Sequence, residues 1–164
     1  MIVLMGVAGA GKSTVGELVA GRLAVPFLDA DDFHDPSSID AIRAGIALDD
    51  WRRQPWLHWL NGLLRAHQAS GVVLACSALK RSYRDVLREG LDNVLVVQLT
   101  VSEDVLATRL SSRAGHYAGA ELLPSQLATL ELGDDLIAVD GELPREVVAD
   151  EVLRLAARRS TDDL

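Results

Sequence analysis

Gly6-Val7-Ala8-Gly9-Ala10-Gly11-Lys12-Ser13 is the stretch of sequence that decides the fold. It matches G-x-x-x-x-G-K-[ST] in full, with the aliphatic run 2–5 before it and a helical pattern of apolar residues after it. Glycines let backbone N–H groups converge on phosphate oxygens, and the N-terminus of the following helix adds positive potential there. The pattern therefore predicts a strand, a phosphate-binding loop and a helix, with ATP as the expected nucleotide.

The end of this loop supplies side chains for phosphate and metal. We expect Lys12 to reach the terminal phosphates of ATP and the Ser13 hydroxyl to ligate Mg²⁺. The predicted ATP contacts run from the loop into the helix and comprise Gly6, Ala8, Gly9, Ala10, Gly11, Lys12, Ser13 and Thr14. GTPases, motors and small-molecule kinases share the motif, so it does not define the reaction by itself.

The composition excludes several classes of protein. A chain of 164 residues has the length of one domain, and a formal net charge of −8 argues against binding to nucleic acid through phosphate contacts. The single cysteine, Cys76, excludes an intramolecular disulfide, and we expect it to be buried. No apolar run approaches the roughly 20 residues of a membrane span, and the first residues lack a basic leader, so we expect a cytoplasmic protein without a membrane partner.

Short aliphatic runs alternate with helical patterns along the chain. Runs at 26–29, 72–75, 94–99 and 136–139 indicate four strands after the first. Buried strands separated by helices are typical of a parallel sheet covered on both faces, so the predicted class is α/β. Three tryptophans, Trp51, Trp56 and Trp59, are expected to pack in the core or under a lid.

An acidic cluster follows the second predicted strand. Asp29 and Asp31 share one direction if the strand geometry persists, and ligands of open parallel sheets bind at this edge. One carboxylate can lie near Mg²⁺, and the other can accept a proton from an attacking hydroxyl. Two roles are open for His34, a contact with the substrate or a hydrogen bond within its loop.

Two sets of basic residues are candidates for anion contacts. Lys80, Arg84 and Arg88 recur at helical spacing after the third strand, and we expect the first two to contact an anionic substrate and Arg88 to lie on the surface. Arg109 and Arg113 precede a glycine-rich loop, where guanidinium groups can stabilise a phosphoryl group in transfer. The alternative for each set is a solvated helix face or a cation at a helix end.

With these motifs, the chain resembles the gluconokinase family of small P-loop kinases over nearly its whole length. The resemblance is carried by blocks in a fixed order: the loop 6–13, Phe27-Leu28-Asp29-Ala30-Asp31-Asp32-Phe33-His34, Ala75-Cys76-Ser77-Ala78-Leu79-Lys80 with Tyr83-Arg84-Asp85, Arg109 and Arg113 with Gly115-His116-Tyr117, and Ser125-Gln126 with Thr129-Leu130-Glu131.

The resemblance implies a fold and a reaction. The fold is the three-layer P-loop kinase fold, with a five-stranded parallel sheet in the order 2-3-1-4-5 and a mobile lid at about residues 113–124. The reaction is transfer of the ATP γ-phosphate to the 6-hydroxyl of D-gluconate with Mg²⁺, by a protein that is commonly a homodimer. By this resemblance Asp31 would act as the base or would bind the substrate hydroxyl, and Asp29 would help to organise Mg²⁺. Lys80 and Arg84 would contact the sugar acid.

The sequence departs from the family pattern in the segment at about residues 34–56, which is expected to close over the substrate. The departures are Asp35, Ser38, Ala41 and Arg52, whereas Arg53, Pro55 and Trp56 match, and Arg53 is a further predicted substrate contact. Two alternatives remain open: a kinase of another small hydroxy acid such as shikimate, and a nucleotide-binding regulatory module without catalysis. A GTPase is disfavoured because the chain has no guanine-selective Asn-Lys-x-Asp stretch.

Overall fold

Five parallel strands form one sheet in the computed structural model, which describes residues 1–112 and 120–162. The strands are β1 (Ile2–Met5), β2 (Phe27–Asp29), β3 (Val73–Ala75), β4 (Leu95–Thr100) and β5 (Ile137–Asp140). Their order is β2-β3-β1-β4-β5, and Val3 of β1 pairs with Leu74 on one side and Val96 on the other. This confirms the predicted α/β class and the strand order 2-3-1-4-5.

Helices cover both faces of the sheet. The described residues form α1 (Lys12–Leu23), α2 (Pro36–Arg43), α3 (Asp50–Ala66), α4 (Arg81–Arg88), α5 (Glu103–Ser111), α6 (Leu123–Thr129) and α7 (Arg145–Asp162). Alternate residues of β1 point to opposite faces, so Ile2 and Leu4 pack with α1 and α7, whereas Val3 and Met5 pack with α3 and α4. The result is the three-layer arrangement that the resemblance implies.

A side-chain cap fixes where α2 begins. Asp35 caps α2 by accepting the N–H groups of Ser37 and Ser38 at 2.9 and 3.1 Å, and Pro36 occupies the first turn. Hydrogen bonds from both serine hydroxyls hold the pKa of Asp35 well below its usual range. Two departures from the family pattern, Asp35 and Ser38, therefore act together as a helix cap.

The cysteine and the three tryptophans differ in how deeply they are buried. Cys76 is buried, and its burial raises the pKa of the thiol to about 12, as expected for an inert small residue. Trp56 is buried and donates its indole N–H to the Ala30 carbonyl at 3.0 Å. The expectation of core packing is wrong for Trp51 and Trp59, which are 82% and 62% exposed, and packing under the lid is not tested because most of the predicted lid lies outside the described residues. No helix of the described ranges is long and apolar enough to cross a bilayer.

Candidate active site

The P-loop has the backbone that its glycines predict. Gly9 and Gly11 have φ angles of 83° and 96°, in the region that favours glycine, and Gly11 lies immediately before α1. Gly6 combines a φ of 146° with close packing, because a Cβ atom there would lie 3.0 Å from the Leu99 carbonyl oxygen. These constraints turn the chain from β1 into α1 and leave loop N–H groups at the carboxyl edge of the sheet.

A cavity of about 1040 Å³ opens at this edge. Its walls come from five parts of the chain. The lining includes Lys12 and Ser13 from the P-loop, Asp29 at the end of β2 with Asp31 and His34 after it, Asp50 and Arg53 of α3, Lys80 and Tyr83 after β3, and Gln126 of α6. Strand ends that are distant in sequence meet here because parallel strands share one carboxyl edge. The cavity therefore collects most of the predicted site residues in one place.

Lys12, Ser13 and Asp29 lie together at the base of the cavity. The Lys12 ammonium donates to the Val7 carbonyl at 3.1 Å, and the Ser13 hydroxyl donates to Asp29 Oδ2 at 2.6 Å. The other Asp29 oxygen accepts the backbone N–H of Asp31 at 3.1 Å. Oxygen donors of this kind suit Mg²⁺, which binds proteins through one or two carboxylates plus phosphate and water. In the described part of the chain no cluster of three or more acidic, histidine or cysteine side chains offers a different metal site.

Asp31 and His34 differ sharply in exposure. The Asp31 side chain is 60% exposed to the cavity and solvent, whereas the His34 side chain is 6% exposed and stacks on Trp56 with ring centroids 4.2 Å apart. His34 Nε2 lies 4.0 Å from Asp31 Oδ1. Burial, followed by the positive charge of Arg53, lowers the pKa of His34 to about 4, so the ring is neutral at pH 7. An accessible carboxylate beside a neutral ring can accept a proton from a substrate hydroxyl.

The buried neutral state of His34 predicts a pH-dependent stability. The pKa is about 4 in the fold and 6.5 when unperturbed, so between these values the unfolded chain binds a proton that the folded chain does not. The free energy of unfolding should therefore fall as the pH decreases from about 6.5 to about 4. Urea unfolding of His34→Asn should show a shallower fall than wild type, and His58→Asn, at an exposed position, should keep the wild-type slope. Equal slopes for the two variants would contradict the assignment.

A charged cluster of Asp50, Arg53, Lys80 and Tyr83 forms another part of the cavity lining. Lys80 donates to both carboxylate oxygens of Asp50 at 2.8 Å, and the Tyr83 hydroxyl donates to the same carboxylate. The Lys80 ammonium and the Arg53 guanidinium lie 5.4 and 5.5 Å from the centre of the Tyr83 ring. The hydrogen bond between Lys80 and Asp50 raises the pKa of the lysine and lowers that of the carboxyl. The residue pattern predicted Lys80 here and the resemblance implied Arg53, but Asp50 and Tyr83 were not predicted to line the site. Tyr83 belongs to one of the blocks that carry the resemblance, and Asp50 lies in the segment at about residues 34–56.

Arg84 does not line the cavity, and the expectation that it contacts a substrate is wrong. It is fully buried, with Nε and Nη2 donating to Asp135 at 2.6 and 3.1 Å and Nη1 donating to two backbone carbonyls. The helical spacing from Lys80 misled because α4 begins at Arg81, and Lys80 precedes it with extended backbone angles. Arg88, expected on the surface, also binds Asp135 at 2.6 Å with a side chain 25% exposed.

Asp135 should therefore be a strong determinant of stability. Asp135→Asn leaves the buried Arg84 guanidinium without its countercharge and is expected to lower the free energy of unfolding by about 3–5 kcal/mol. The matched control is Asp134→Asn, which breaks an exposed ion pair with Arg81 and should cost less than about 1 kcal/mol. Urea unfolding of both variants tests this, and losses of similar size would contradict it.

Of the two arginines predicted to stabilise the transferred phosphate, the structure describes only Arg109. Arg109 donates to the carbonyl oxygens of Gly9 and Gly141 at 3.3 and 2.9 Å and does not line the cavity in this structure. Contact with a transferred phosphoryl group would require its guanidinium to leave these carbonyls. Arg113 and most of the predicted lid at about residues 113–124 lie outside the described residues.

Known kinases match the chain over most of its length. The shikimate kinase family profile matches residues 8–131. Gluconokinase of Gluconobacter oxydans (strain 621H) is 44% identical over 160 residues, covering 93% of this chain and 89% of that protein. A solved gluconokinase from Sinorhizobium meliloti 1021 is 42% identical with a TM-score of 0.87, covering 98% of this chain and 93% of that one. Shikimate kinase from Aquifex aeolicus vf5, 20% identical with a TM-score of 0.64 over 98% of this chain and 97% of that one, supports the fold alone.

Fold and motif together define the class of protein. A P-loop at the carboxyl edge of a parallel sheet of this order, with acidic and basic side chains lining the same cavity, is the arrangement of a kinase that phosphorylates a small molecule. The identities to the two gluconokinases show which kinase family this is. The chain belongs to the gluconokinase family, whose members match it at twice the identity of the shikimate kinase structure.

Proposed function

We propose that this protein transfers the γ-phosphoryl group of ATP to the 6-hydroxyl of D-gluconate, giving 6-phospho-D-gluconate. The single observation that carries the proposal is the cavity that brings the P-loop, Asp31 and the Lys80–Asp50 pair together. One end of this cavity suits phosphates, and the other suits an acid that also carries hydroxyl groups. Membership of a family whose relatives are named gluconokinase supports gluconate as that acid.

Each end of the cavity has its own task in the transfer. The loop N–H groups and Lys12 hold the phosphates and offset the charge that builds on the phosphoryl oxygens. Asp31 accepts the proton of the 6-hydroxyl as the bond from that oxygen to the γ-phosphorus forms. The bond from the phosphorus to the bridging oxygen breaks, and ADP leaves. Holding both substrates in line supplies a large part of the acceleration.

Ser13 and Asp29 are the proposed holders of Mg²⁺. Their oxygens lie 2.6 Å apart beside the P-loop, and the donor set matches the preference of this ion for carboxylate, hydroxyl and phosphate oxygens. When bound, Mg²⁺ neutralises charge on the phosphates. Asp29 also accepts the Asp31 backbone N–H, so it orients the proposed base as well as the ion.

Lys80 and Arg53 are the proposed partners of the gluconate carboxylate. Both line the cavity, and both lie beside the Tyr83 ring. Asp50 holds Lys80 in place and can accept hydrogen bonds from hydroxyls of the acceptor. His34 remains a proposed substrate contact through its position in the lining, and Arg109 and Arg113 remain proposed partners of the moving phosphoryl group.

The two alternative functions are less well supported. The shikimate kinase structure shares the fold at 20% identity, whereas the gluconokinase of Gluconobacter oxydans is 44% identical to this chain. A non-catalytic nucleotide-binding module would need Lys12 and Ser13 to hold ATP, but it would not need an accessible carboxylate such as Asp31 in the same cavity.

A further proposal is that the protein is a cytoplasmic homodimer. Pro55 and Trp59 lie one turn apart and are exposed on α3, which supports a self-association surface. Light scattering tests it: wild type should have the mass of a dimer, and Trp59→Lys should lower that mass.

A panel of acceptors tests the proposed reaction. Release of ADP from ATP and Mg²⁺ is measured with gluconate, with shikimate, with other sugar acids and with no acceptor. Gluconate-dependent release well above the other acceptors is expected. Turnover of a different acid alone would overturn gluconate as the substrate, and the absence of turnover with every acceptor would overturn the kinase assignment.

A further inference from the structure

Gln126 connects α6 directly to the backbone of the P-loop. Its Oε1 atom accepts the N–H of Ala8 at 2.6 Å, a contact between residues 118 positions apart in the chain. Gln126 also lines the cavity that contains Lys12 and Asp31. Because the N–H groups of a P-loop face phosphate oxygens, a side chain bound to one of them stands at the edge of the phosphate site.

One peptide unit links Gln126 to the P-loop lysine. The carbonyl group of Val7 and the N–H group of Ala8 belong to the same peptide bond. The Lys12 ammonium donates to that carbonyl oxygen at 3.1 Å, and Gln126 accepts from that N–H. A P-loop lysine reaches the β- and γ-phosphates, so the Gln126 carboxamide lies one peptide unit away from the group that binds the phosphate to be transferred.

The hydrogen bond from Ala8 also fixes the orientation of the carboxamide. A backbone N–H can only donate, so the atom facing it must be the oxygen and not the NH₂ group. The oxygen is held at 2.6 Å, and what the side chain can offer to a ligand in the cavity is therefore its Nε2 donor. A neutral donor of this kind stabilises phosphoryl oxygens without adding a further positive charge beside Lys12.

We infer that Gln126 is a phosphoryl-contacting residue whose Nε2 group donates to an oxygen of the γ-phosphoryl group during its transfer. The inference rests on the proposed phosphoryl transfer but not on gluconate as the acceptor. Charge on the moving group is spread over its three equatorial oxygens, and Lys12 cannot reach all of them. A fixed donor on the far side of the Val7–Ala8 peptide serves another of these oxygens.

The first test separates catalysis from anchoring of the P-loop. Gln126→Met keeps the length of the side chain and removes both polar atoms, and we expect kcat to fall by about 100-fold with the KM of ATP changed by less than about threefold. Gln126→Glu keeps an oxygen for the Ala8 N–H, and it replaces the donor NH₂ group by a second, negatively charged oxygen. It should keep the wild-type melting temperature and lose kcat at least as strongly. Gln68→Met, the same change at an exposed position, should retain wild-type kinetics.

The second test needs no acceptor. ADP with aluminium fluoride and Mg²⁺ mimics the planar phosphoryl group during transfer, and calorimetry should show that Gln126→Met loses about tenfold in affinity for this mimic while its affinity for ADP is unchanged. Unchanged kcat in both Gln126 variants would overturn the inference. Equal losses for ADP and for the mimic would also overturn it, because they would assign Gln126 to P-loop anchoring alone. If wild type phosphorylates an acid other than gluconate, the proposed substrate fails and the Gln126 variants are measured with that acid.

Discussion

Asp31→Asn is expected to lower kcat by about 10²–10⁴-fold, the usual contribution of a positioned general base. Asparagine keeps the size of the side chain but cannot accept the proton of the 6-hydroxyl. The Asp31 side chain is 60% exposed, so the substitution should leave the fold unchanged. The hydrogen bond from the backbone N–H of residue 31 to Asp29 does not involve the side chain that is replaced, so the proposed Mg²⁺ holders Ser13 and Asp29 should also keep their positions. ADP release at saturating gluconate measures the loss, and calorimetry with ATP should give wild-type affinity.

The matched control for Asp31 is Asp40→Asn. Asp40 is an exposed carboxylate of α2 outside the cavity, and its replacement changes the net charge by the same amount. We expect wild-type turnover from this variant. If Asp31→Asn kept more than about a tenth of wild-type kcat, Asp31 would not be the base, and general-base catalysis at this position would be disproved.

Lys12→Met is expected to have the second large effect, a fall in kcat of about 10³-fold or more together with weaker binding of ATP. Methionine keeps the unbranched stem and removes the ammonium, whose charge-assisted hydrogen bonds to phosphate oxygens act both before and during transfer. The ammonium lies 3.1 Å from the Val7 carbonyl at the base of the cavity, where solvent screens it less than at the surface. Steady-state kinetics and ATP calorimetry together measure both losses.

Lys80→Met provides the comparison, because Lys12 and Lys80 are the two lysines of the chain. The same substitution at Lys80 removes the partner proposed for the carboxylate of the acceptor. It should raise the KM of gluconate and leave the affinity for ATP unchanged. Equal effects of the two variants on ATP affinity would contradict the division of the cavity into a phosphate end and an acid end.

The sequence predicts the fold well because local signals and topology agree. The P-loop motif lies between a buried strand and a helix. Short aliphatic strands that are separated by helices form a parallel sheet, because each helix crosses over one face of the sheet and covers it. Asp29 and Asp31 could be placed at the site because the carboxyl ends of parallel strands meet at one edge. The same reasoning explains why Lys80, which follows β3, reaches the cavity.

The residues that sequence reasoning misplaced or missed depend on contacts between distant segments. Arg84 has the spacing of a second anion ligand, yet its partner Asp135 stands 51 positions later, and no local pattern indicates that pair. Gln126 looks like an ordinary polar residue of a short helix until the fold brings it to Ala8. Asp50 lies in the segment expected to close over the substrate, but its hydrogen bond with Lys80 joins α3 to the residue before α4 and depends on how these helices pack.

Identification of the phosphorylated product tests the central claim most directly. The purified protein is incubated with ATP, Mg²⁺ and D-gluconate, and the product is examined by ³¹P NMR with coupling to carbon-bound protons. The proposed reaction predicts a phosphomonoester whose phosphorus couples to the two protons on C6, formed only when gluconate is present and formed about 10²–10⁴-fold more slowly with Asp31→Asn. Inorganic phosphate as the only new signal, or a phosphoester at another hydroxyl, would contradict it.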